Sequence, residues 1–225
     1  MKFPQIISAL RKYYGSPKPP VARDPFAQIV WENIGYLVND TRRKNAFDQL
    51  EKKIGLEPPA ILAAPLSELT SITKVGGILE GLRAQRLKEI AHITLNEFEG
   101  DLSSILKLPL SQAMKALKQF PSISDPGAEK ILLFAGVYPI LALDSNGLRV
   151  LLRLGFGEEK KYYTATYKSV RAALKDEVGS DFDSLIAAYQ LLRQHGQELC
   201  RRTNPMCAKC PVRKTCEYYR HLIQP

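Results

Sequence analysis

All four cysteines of the chain lie between residues 200 and 216, in the stretch CRRTNPMCAKCPVRKTC. In a reducing compartment such a cluster is more typical of metal ligands than of disulfides. The spacing C-x6-C-x2-C-x5-C contains one C-x2-C pair, whereas tetrahedral zinc sites usually use two such pairs. A compact loop with two wider gaps suits the spread corners of an iron–sulfur cubane. The spacing therefore favours a [4Fe–4S] cluster, with Zn²⁺ as the alternative, and the predicted ligands are Cys200, Cys207, Cys210 and Cys216.

Basic side chains lie between and beside these cysteines, namely Arg201, Arg202, Lys209, Arg213 and Lys214. A loop fixed by a metal group would also fix this row of cations, which would suit phosphate binding. The alternative is that the cations only offset the negative charge of thiolates and a cluster. The formal net charge of +9 and the pI of about 9.4 are common in proteins that bind polyanions, although solubility alone is a second explanation.

A carboxylate is the second group that could do chemistry. Asp144 and Ser145 open a predicted helix, and an aspartate in that place is often only its N-cap. Upstream, Asp125 and Pro126 suit the N-cap and the first position of the preceding helix. Two helices joined by a tight turn at 120–127, with exposed N–H groups at the new N-terminus, would form a phosphate site.

Helical periodicity dominates the segments that must position these groups. Apolar residues recur three and four apart in the stretches 26–38, 66–72, 82–93, 110–120, 128–137, 147–156 and 182–195. Only YPILAL (138–143) is typical of an extended segment, and one such run cannot form a sheet. We therefore predict an all-α protein of about ten short helices, with the Pro-rich residues 12–25 extended over the surface.

The apolar runs are too short for a membrane span, and the N-terminal residues carry charges too close to their apolar neighbours for a secretory signal. We expect a soluble protein of the cytoplasm, associated with the nucleoid in a bacterium or archaeon, without membrane contact.

Two stretches resemble the endonuclease III family of DNA glycosylases. HGQELCRRTNPMCAKCPVRKTCEYY (195–219) is similar to the cluster loop of that family in its His-Gly, its cysteine spacing and its Cys-Glu-Tyr. FPSISDPGAEKILLFAGVYPILALDSNGLRV (120–150) is similar to its helix-hairpin-helix and downstream aspartate, without a gap. The matching positions are Phe120, Pro121, Ala128, Pro139, Asp144, Arg149 and Val150.

The resemblance implies two helical lobes with DNA bound between them. The first is a helical barrel at residues 25–138 that ends in the hairpin. The second is a cluster lobe formed by 1–24 and 139–225 that carries Asp144. In the family this carboxylate stabilises the positive sugar that forms as the base leaves and orients or activates the attacking water. The resemblance further implies DNA contacts by Ser122, Ser124, Gly127 and Arg149, besides the cations of the cysteine loop.

Two departures from the family pattern change what is expected of the hairpin. Ser122 and Ser124 replace hairpin glycines and tolerate positive φ less well. Pro126 occupies the position of the lysine that many relatives use as a Schiff-base nucleophile, and proline has no amine to offer. Lys130, one helical turn further on, could replace that lysine, but we expect it to be a solvated helix charge.

Residues at the first long helix and at a following loop are candidates for contacts with a flipped base and the duplex. The pocket candidates are Trp31, Glu32, Tyr36, Asn39 and Asp40. Asn39 is the nearest counterpart of a gap-filling glutamine in relatives, and Leu82 or Ile78 could wedge between bases. The alternatives are a core role for Trp31 and the two aliphatic residues, and a solvated charge for Glu32.

The resemblance implies a DNA repair glycosylase, which we expect to be a monomer that acts on double-stranded DNA containing a damaged or mismatched base. The expected reaction is hydrolysis of the N-glycosidic bond, with weak or no lyase activity at abasic sites. The first alternative is a binder of damaged or abasic DNA that keeps the scaffold without efficient catalysis. The second is a cluster-bearing redox or regulatory protein unrelated to repair.

Overall fold

The structure, a computed structural model, describes residues 2–18, 20–22 and 24–223, with residue 223 described by its backbone only. Its α-helices, in chain order, are α1 (Phe3–Tyr14), α2 (Pro25–Ile34), α3 (Asp40–Lys53), α4 (Pro58–Ala63), α5 (Leu66–Val75), α6 (Glu80–Phe98), α7 (Leu110–Leu117), α8 (Asp125–Phe134), α9 (Ser145–Arg153), α10 (Tyr163–Leu174), α11 (Phe182–Glu198) and α12 (Glu217–Ile223). Short 3-10 helices lie at Leu102–Lys107, Cys207–Lys209 and Arg213–Thr215. The described ranges contain no strand, so the predicted all-α class is confirmed.

The chain forms two compact units. The central unit is Pro20–Tyr138 and contains α2 to α8. The terminal unit joins Met1–Pro19 to Pro139–Pro225 and contains α1 and α9 to α12. Over the described residues, no helix is both long and apolar enough to cross a bilayer.

The central unit is built around α2. Asp24 caps this helix by accepting a hydrogen bond of 2.8 Å from the N–H of Ala27, and Pro25 follows at the first helical position. Ile29, Val30 and Ile34 are fully buried in the core, against which α6 also packs. The helix ends at Ile34, since Gly35 is extended, and not at residue 38 as the periodicity predicts.

The predicted hairpin is present as α7, a turn and α8. Ser124, and not Asp125, is the N-cap of α8, so the sequence assignment is wrong by one residue. Asp125 instead forms an ion pair of 2.7 Å with Lys118 at the end of α7. Ser122 has a φ of 65°, so the turn keeps a left-handed residue although its glycine is missing.

In the terminal unit α11 packs against both α9 and α1. The contact with α9 is close because Gly196 has no side chain: a Cβ there would lie 2.7 Å from Cβ of Asn146. α1 buries Phe3, Ile6 and Leu10, which lie three and four residues apart. Because α1 continues to Tyr14, residues 12–14 are helical. The prediction that residues 12–25 are extended is therefore wrong for residues 12–14.

Two chain segments of the central unit are tied into one structure, which we call the loop bracket: residues 34–38 and 76–79. The N–H of Tyr36 donates to the carbonyl of Gly76 at 2.9 Å. Gly77 is required at this crossing because its φ is 116° and a Cβ would lie 2.3 Å from the Tyr36 carbonyl. The buried guanidinium of Arg83 donates to the carbonyls of Ile34, Gly77 and Ile78.

The loop bracket predicts a large effect for Arg83→Met, which keeps the aliphatic stem but leaves three carbonyls without their donor. We expect the free energy of unfolding to fall by about 3 kcal/mol, since each buried unpaired group costs roughly 1–3 kcal/mol. Chemical denaturation measures this change. Gln85→Met, at an exposed position of the same helix, is the control and should change stability little. Equal stability of the two variants would contradict the role of Arg83.

Candidate functional site

Asp144 is the N-cap of α9, and its carboxylate is held from several sides. Oδ1 accepts hydrogen bonds from the N–H groups of Asn146 and Gly147 at 3.0 and 2.7 Å. Oδ2 accepts from Nδ2 of Asn146 at 3.0 Å and lies 3.3 Å from Nε of Arg193. The side chain keeps 22% exposure. The capping role is therefore real, and it leaves a negatively charged group fixed in direction and reachable from solvent.

Arg193 was not among the residues that the sequence singled out. It lies on α11, and the close contact of α11 with α9 brings it to Asp144. No local sequence pattern indicates this pair, because α10 and its flanking loops separate Asp144 from Arg193 in the chain.

Tyr163, at the start of α10, is a second neighbour of Asp144 that the sequence reasoning missed. Burial raises the pKa of Tyr163, and the charge of Asp144 raises it further, so the phenol keeps its proton near neutral pH. Its ring is half exposed and stacks on Tyr167. The signal that could have identified this region is KKYY (160–163), where lysines adjoin exposed aromatic rings as in many nucleic-acid surfaces.

Arg149 has a structural role that the sequence does not predict. Its Nε donates to the carbonyl of Cys200 at 3.0 Å, and Nη2 donates to the carbonyl of Gly196 and to Oδ1 of Asn146 at 2.8 and 2.9 Å. These bonds tie α9 to the end of α11 and to the first cysteine. Arg149 is therefore a structural tether, and its contact with DNA stays a prediction.

The four cysteines line one cavity, together with Leu199, Arg153, Arg213, Tyr218 and Tyr219. Burial raises the pKa of Cys210 to about 11 and also raises the pKa of Cys207 and of Cys216. Thiols in such surroundings keep their protons unless a metal displaces them. Within the described residues, no three His, Cys, Asp or Glu side chains are placed as ligands of one metal ion. The donor set, soft sulfur around a shared cavity, fits an iron–sulfur cluster.

The cations of the cysteine loop lie at its surface. Arg201, Arg202, Lys209 and Lys214 are exposed. Arg213 is partly buried and donates to the carbonyl of Ala208, and Nε of Arg201 donates to the carbonyl of Glu198 at 2.9 Å. The loop therefore presents the row of positive charge that its sequence predicts.

At the hairpin, the hydroxyl of Ser122 accepts a hydrogen bond of 3.0 Å from Nη1 of Arg86. Ser122 and Ser124 are exposed, while Pro126 and Gly127 lie partly buried in the first turn of α8. The turn thus carries a cation and two hydroxyl groups on its accessible side.

Lys130 is not the solvated charge that the sequence predicts. Its side chain is only 6% exposed and forms an ion pair with Glu32 of α2. The ammonium also lies 5.9 Å from the ring centre of Phe134. Glu32 is itself 29% exposed and lies 3.8 Å from Nη1 of Arg43, so the default of a solvated Glu32 is also wrong. The two residues form one ionic group between α2 and α8.

The remaining pocket candidates have separate places in the central unit. Trp31 is partly buried and packs edge to face on Phe47. Asn39 is the N-cap of α3, accepting from the N–H of Arg42 at 3.0 Å, and Asp40 is the first residue of that helix. Asn39 therefore has a structural function that the comparison with a gap-filling glutamine did not include.

Tyr36 is exposed in the loop bracket, where the structure adds aliphatic neighbours. Leu37 is 76% exposed with a φ of 54°, and Leu79 is exposed with a φ of 59°. Ile78 and Leu82 are exposed as well, so neither is a core residue. Sequence reasoning missed Leu37 and Leu79 because an aliphatic residue in the left-handed region has no local sequence signal.

Known proteins resemble the chain over nearly its whole length. Endonuclease III of Sulfolobus acidocaldarius is 27% identical over 199 residues, which are 88% of this chain and 83% of that protein. The thymine-DNA glycosylase of Aeropyrum pernix is 26% identical over 198 residues, 87% of this chain and 83% of that protein. No family model matches the sequence.

A solved structure of a non-covalent endonuclease III–DNA complex superimposes with a TM-score of 0.77 and 18% identity, covering 99% of this chain and 97% of that chain. The resemblance predicted from the cysteine loop and the hairpin is therefore confirmed. The chain is a homologue of the endonuclease III-like proteins and has the all-α fold of the helix-hairpin-helix glycosylases.

Proposed function

We propose that the protein is a DNA glycosylase that hydrolyses the N-glycosidic bond of a damaged or mismatched base. The observation that carries this proposal is the fixed and partly exposed carboxylate of Asp144, at the position where endonuclease III-like proteins have their aspartate. The names of the relatives, endonuclease III and thymine-DNA glycosylase, support the same class of reaction.

The geometry of Asp144 suits electrostatic stabilisation of a sugar cation. Two backbone N–H groups hold Oδ1 and thereby fix the direction of the carboxylate before substrate arrives. Oδ2 lies on the side of Arg193 and Asn146, and we assign to it the contact with the sugar or with the attacking water. A carboxylate that is already oriented needs no reorganisation as positive charge develops on the sugar.

We propose that water, and not an amine, is the nucleophile. Pro126 has no amine at the position where many relatives have lysine. Lys130 is buried and paired with Glu32, so its use as a nucleophile would break an ion pair and expose a buried charge. Both facts support a glycosylase with little or no lyase activity.

Duplex DNA would meet cationic and apolar groups in this proposal. The cysteine loop offers Arg201, Arg202, Lys209 and Lys214 to phosphates. The loop bracket offers the exposed side chains of Leu37, Ile78 and Leu79, which we assign to the gap that opens when a nucleotide is flipped out. Glu32 is assigned to the base pocket as a hydrogen-bond acceptor held by Lys130.

We further propose that Cys200, Cys207, Cys210 and Cys216 hold a [4Fe–4S] cluster. When bound, the cluster supplies cross-links between the end of α11 and the start of α12, and it takes no part in hydrolysis. The chain contributes the sulfur donors and the tether of Arg149 to the Cys200 carbonyl. Fixing this loop fixes the exposed cations that we assign to DNA.

The second candidate is a protein that binds damaged or abasic DNA without excising a base. The observation in its favour is that Asp144 is fully accounted for as the N-cap of α9. If capping is the whole function of Asp144, its carboxylate only stabilises the start of α9 and the site lacks a catalytic group.

Asp144→Asn separates these two candidates. Asparagine is as good an N-cap as aspartate, so the fold and DNA binding should persist while excision falls at least about 100-fold, a typical contribution of such a group. Excision is measured on a panel of duplexes with damaged and mismatched bases. Asp181→Asn is the matched control, because Asp181 caps α11 by accepting from the N–H of Ser184 at 2.8 Å. If Asp144→Asn excised bases as fast as the wild-type protein, only the capping role of Asp144 would remain.

Trapping with borohydride tests the nucleophile. The wild-type protein should give no covalent adduct with abasic DNA, because a Schiff base needs an accessible amine. Pro126→Lys, which places an amine at the family position, is the comparison variant. A strong wild-type adduct that disappears in Lys130→Met would show that the buried lysine becomes the nucleophile after all.

Metal analysis of the purified protein tests the cofactor. We expect iron and inorganic sulfide in equal amounts, and Cys210→Ser should lose most of both together with the visible absorbance. Ala208→Ser, an exposed change in the same loop, should keep them. Stoichiometric zinc without sulfide would instead establish the alternative metal.

A further inference from the structure

A buried histidine lies beside the cysteine cavity. His195, in the last turn of α11, is 1% exposed. Its Nε2 lies 3.5 Å from Sγ of Cys210, and its Nδ1 lies 3.0 Å from the hydroxyl of Tyr14 in α1. The three groups form a chain that runs from the N-terminal helix to a predicted metal ligand.

The position of the imidazole proton follows from the two neighbours. A neutral imidazole carries a single N–H, and burial raises the pKa of Tyr14, so the phenol keeps its proton. A cysteine bound to iron has no proton and can only accept. Both contacts are then hydrogen bonds only if Tyr14 donates to Nδ1 and Nε2–H donates to sulfur. A protonated ring would also donate at Nε2, so the bond to sulfur does not depend on titration.

We propose that Tyr14 is a positioning residue, which holds the N–H of His195 on Nε2 so that it donates to the sulfur of Cys210 and thereby sets the reduction potential and durability of the bound cluster. This inference rests on the cluster assigned under the proposed function. The hydroxyl of Tyr14 acts through the ring: it reinforces the Nε2–H tautomer that the sulfur also favours, and it holds the ring in the orientation that directs this N–H at the sulfur. Groups behind a metal ligand commonly act in this way.

The direction of the effect follows from charge. Reduction adds negative charge to a cluster and to its sulfur ligands, and an N–H dipole directed at sulfur stabilises that charge. Removing the donor should therefore make the midpoint potential more negative. A second donor already serves another ligand, since Nη1 of Arg153 lies 3.4 Å from Sγ of Cys200. These two side-chain donors would add to the backbone N–H groups of Val212, Tyr218 and Tyr219, which donate to the sulfurs of Cys210 and Cys216.

Tyr14→Phe is the central variant, because it removes one oxygen and keeps the ring that packs edge to face on His195 at 5.9 Å between centres. Tyr13→Phe is the matched control: its ring contacts Tyr14 at 4.8 Å, and it is 49% exposed. His195→Gln retains an amide donor near sulfur and serves as the rescue, whereas His195→Leu removes the donor.

The experiment uses the intact protein with its cluster. Voltammetry gives the midpoint potential, and loss of visible absorbance in air gives the durability. We expect a more negative potential and several-fold faster bleaching in Tyr14→Phe and His195→Leu, and near wild-type values in Tyr13→Phe and His195→Gln. Resonance Raman spectra should show an iron–sulfur stretch that shifts in D₂O in the wild type, shifts less in Tyr14→Phe and does not shift through this bond in His195→Leu.

Identical potential, bleaching and D₂O shift in Tyr14→Phe and Tyr13→Phe would overturn the proposal, even if His195→Leu fails to fold. A protein that holds zinc would overturn it together with the assigned cofactor. None of these measurements uses excision, so a failed glycosylase assay with an intact, Tyr14-dependent potential would count against the proposed activity and in favour of this bond.

Discussion

The close contact of α9 with α11 is the constraint on which the terminal unit depends. Gly196 permits this contact, since any side chain there would collide with Asn146. The same approach brings Arg193 to Asp144 and lets Arg149 reach the carbonyl of Gly196. One side of α9 therefore orients a carboxylate while its arginines hold the first cysteine. A larger residue at 196 would disturb both, because a packed interface moves as a whole.

This arrangement combines stability and reactivity in one side chain. A carboxylate at a helix N-terminus is stabilised by the helix dipole and by unpaired N–H groups, and Asp144 has both. The same interactions fix the direction of the carboxylate in a partly buried place, where we propose that it faces a sugar cation. Capping and catalysis are therefore compatible explanations for the position of Asp144. Only the catalytic explanation requires the carboxylate to contact a substrate.

The features of this structure that the sequence predicts are those with a local sequence pattern. The helices with apolar residues at three and four spacing, the cysteine loop and Asp144 have local signals, and the all-α class follows from them. α1 was missed although Phe3, Ile6 and Leu10 have helical spacing. α3 was missed because it is mostly polar and buries only Ala46, Phe47 and Leu50.

Pairs formed between distant segments could not be predicted in this way. The contacts of Glu32 with Lys130 and of Tyr14 with His195 join residues that are far apart in the chain. Their geometry is set by the packing of whole helices, so no spacing rule encodes it. The positive φ of Leu37 is likewise imposed by the loop bracket, where Arg83 binds the surrounding carbonyls.

The start of α8 supports the proposal of hydrolysis by water over attack by an amine. Proline in the first turn of a helix costs no hydrogen bond, because the N–H that it lacks has no partner within the helix. Pro126 therefore stabilises the start of α8 at the position where the family resemblance leads us to expect a lysine. One turn further, Lys130 points into the core and neutralises Glu32. To attack a sugar it would have to break its ion pair with Glu32 and leave a buried place, which is unfavourable. The same ion pair that connects α2 to α8 thus holds the nearest amine of α8 away from solvent, which supports the proposal that Asp144 acts with water.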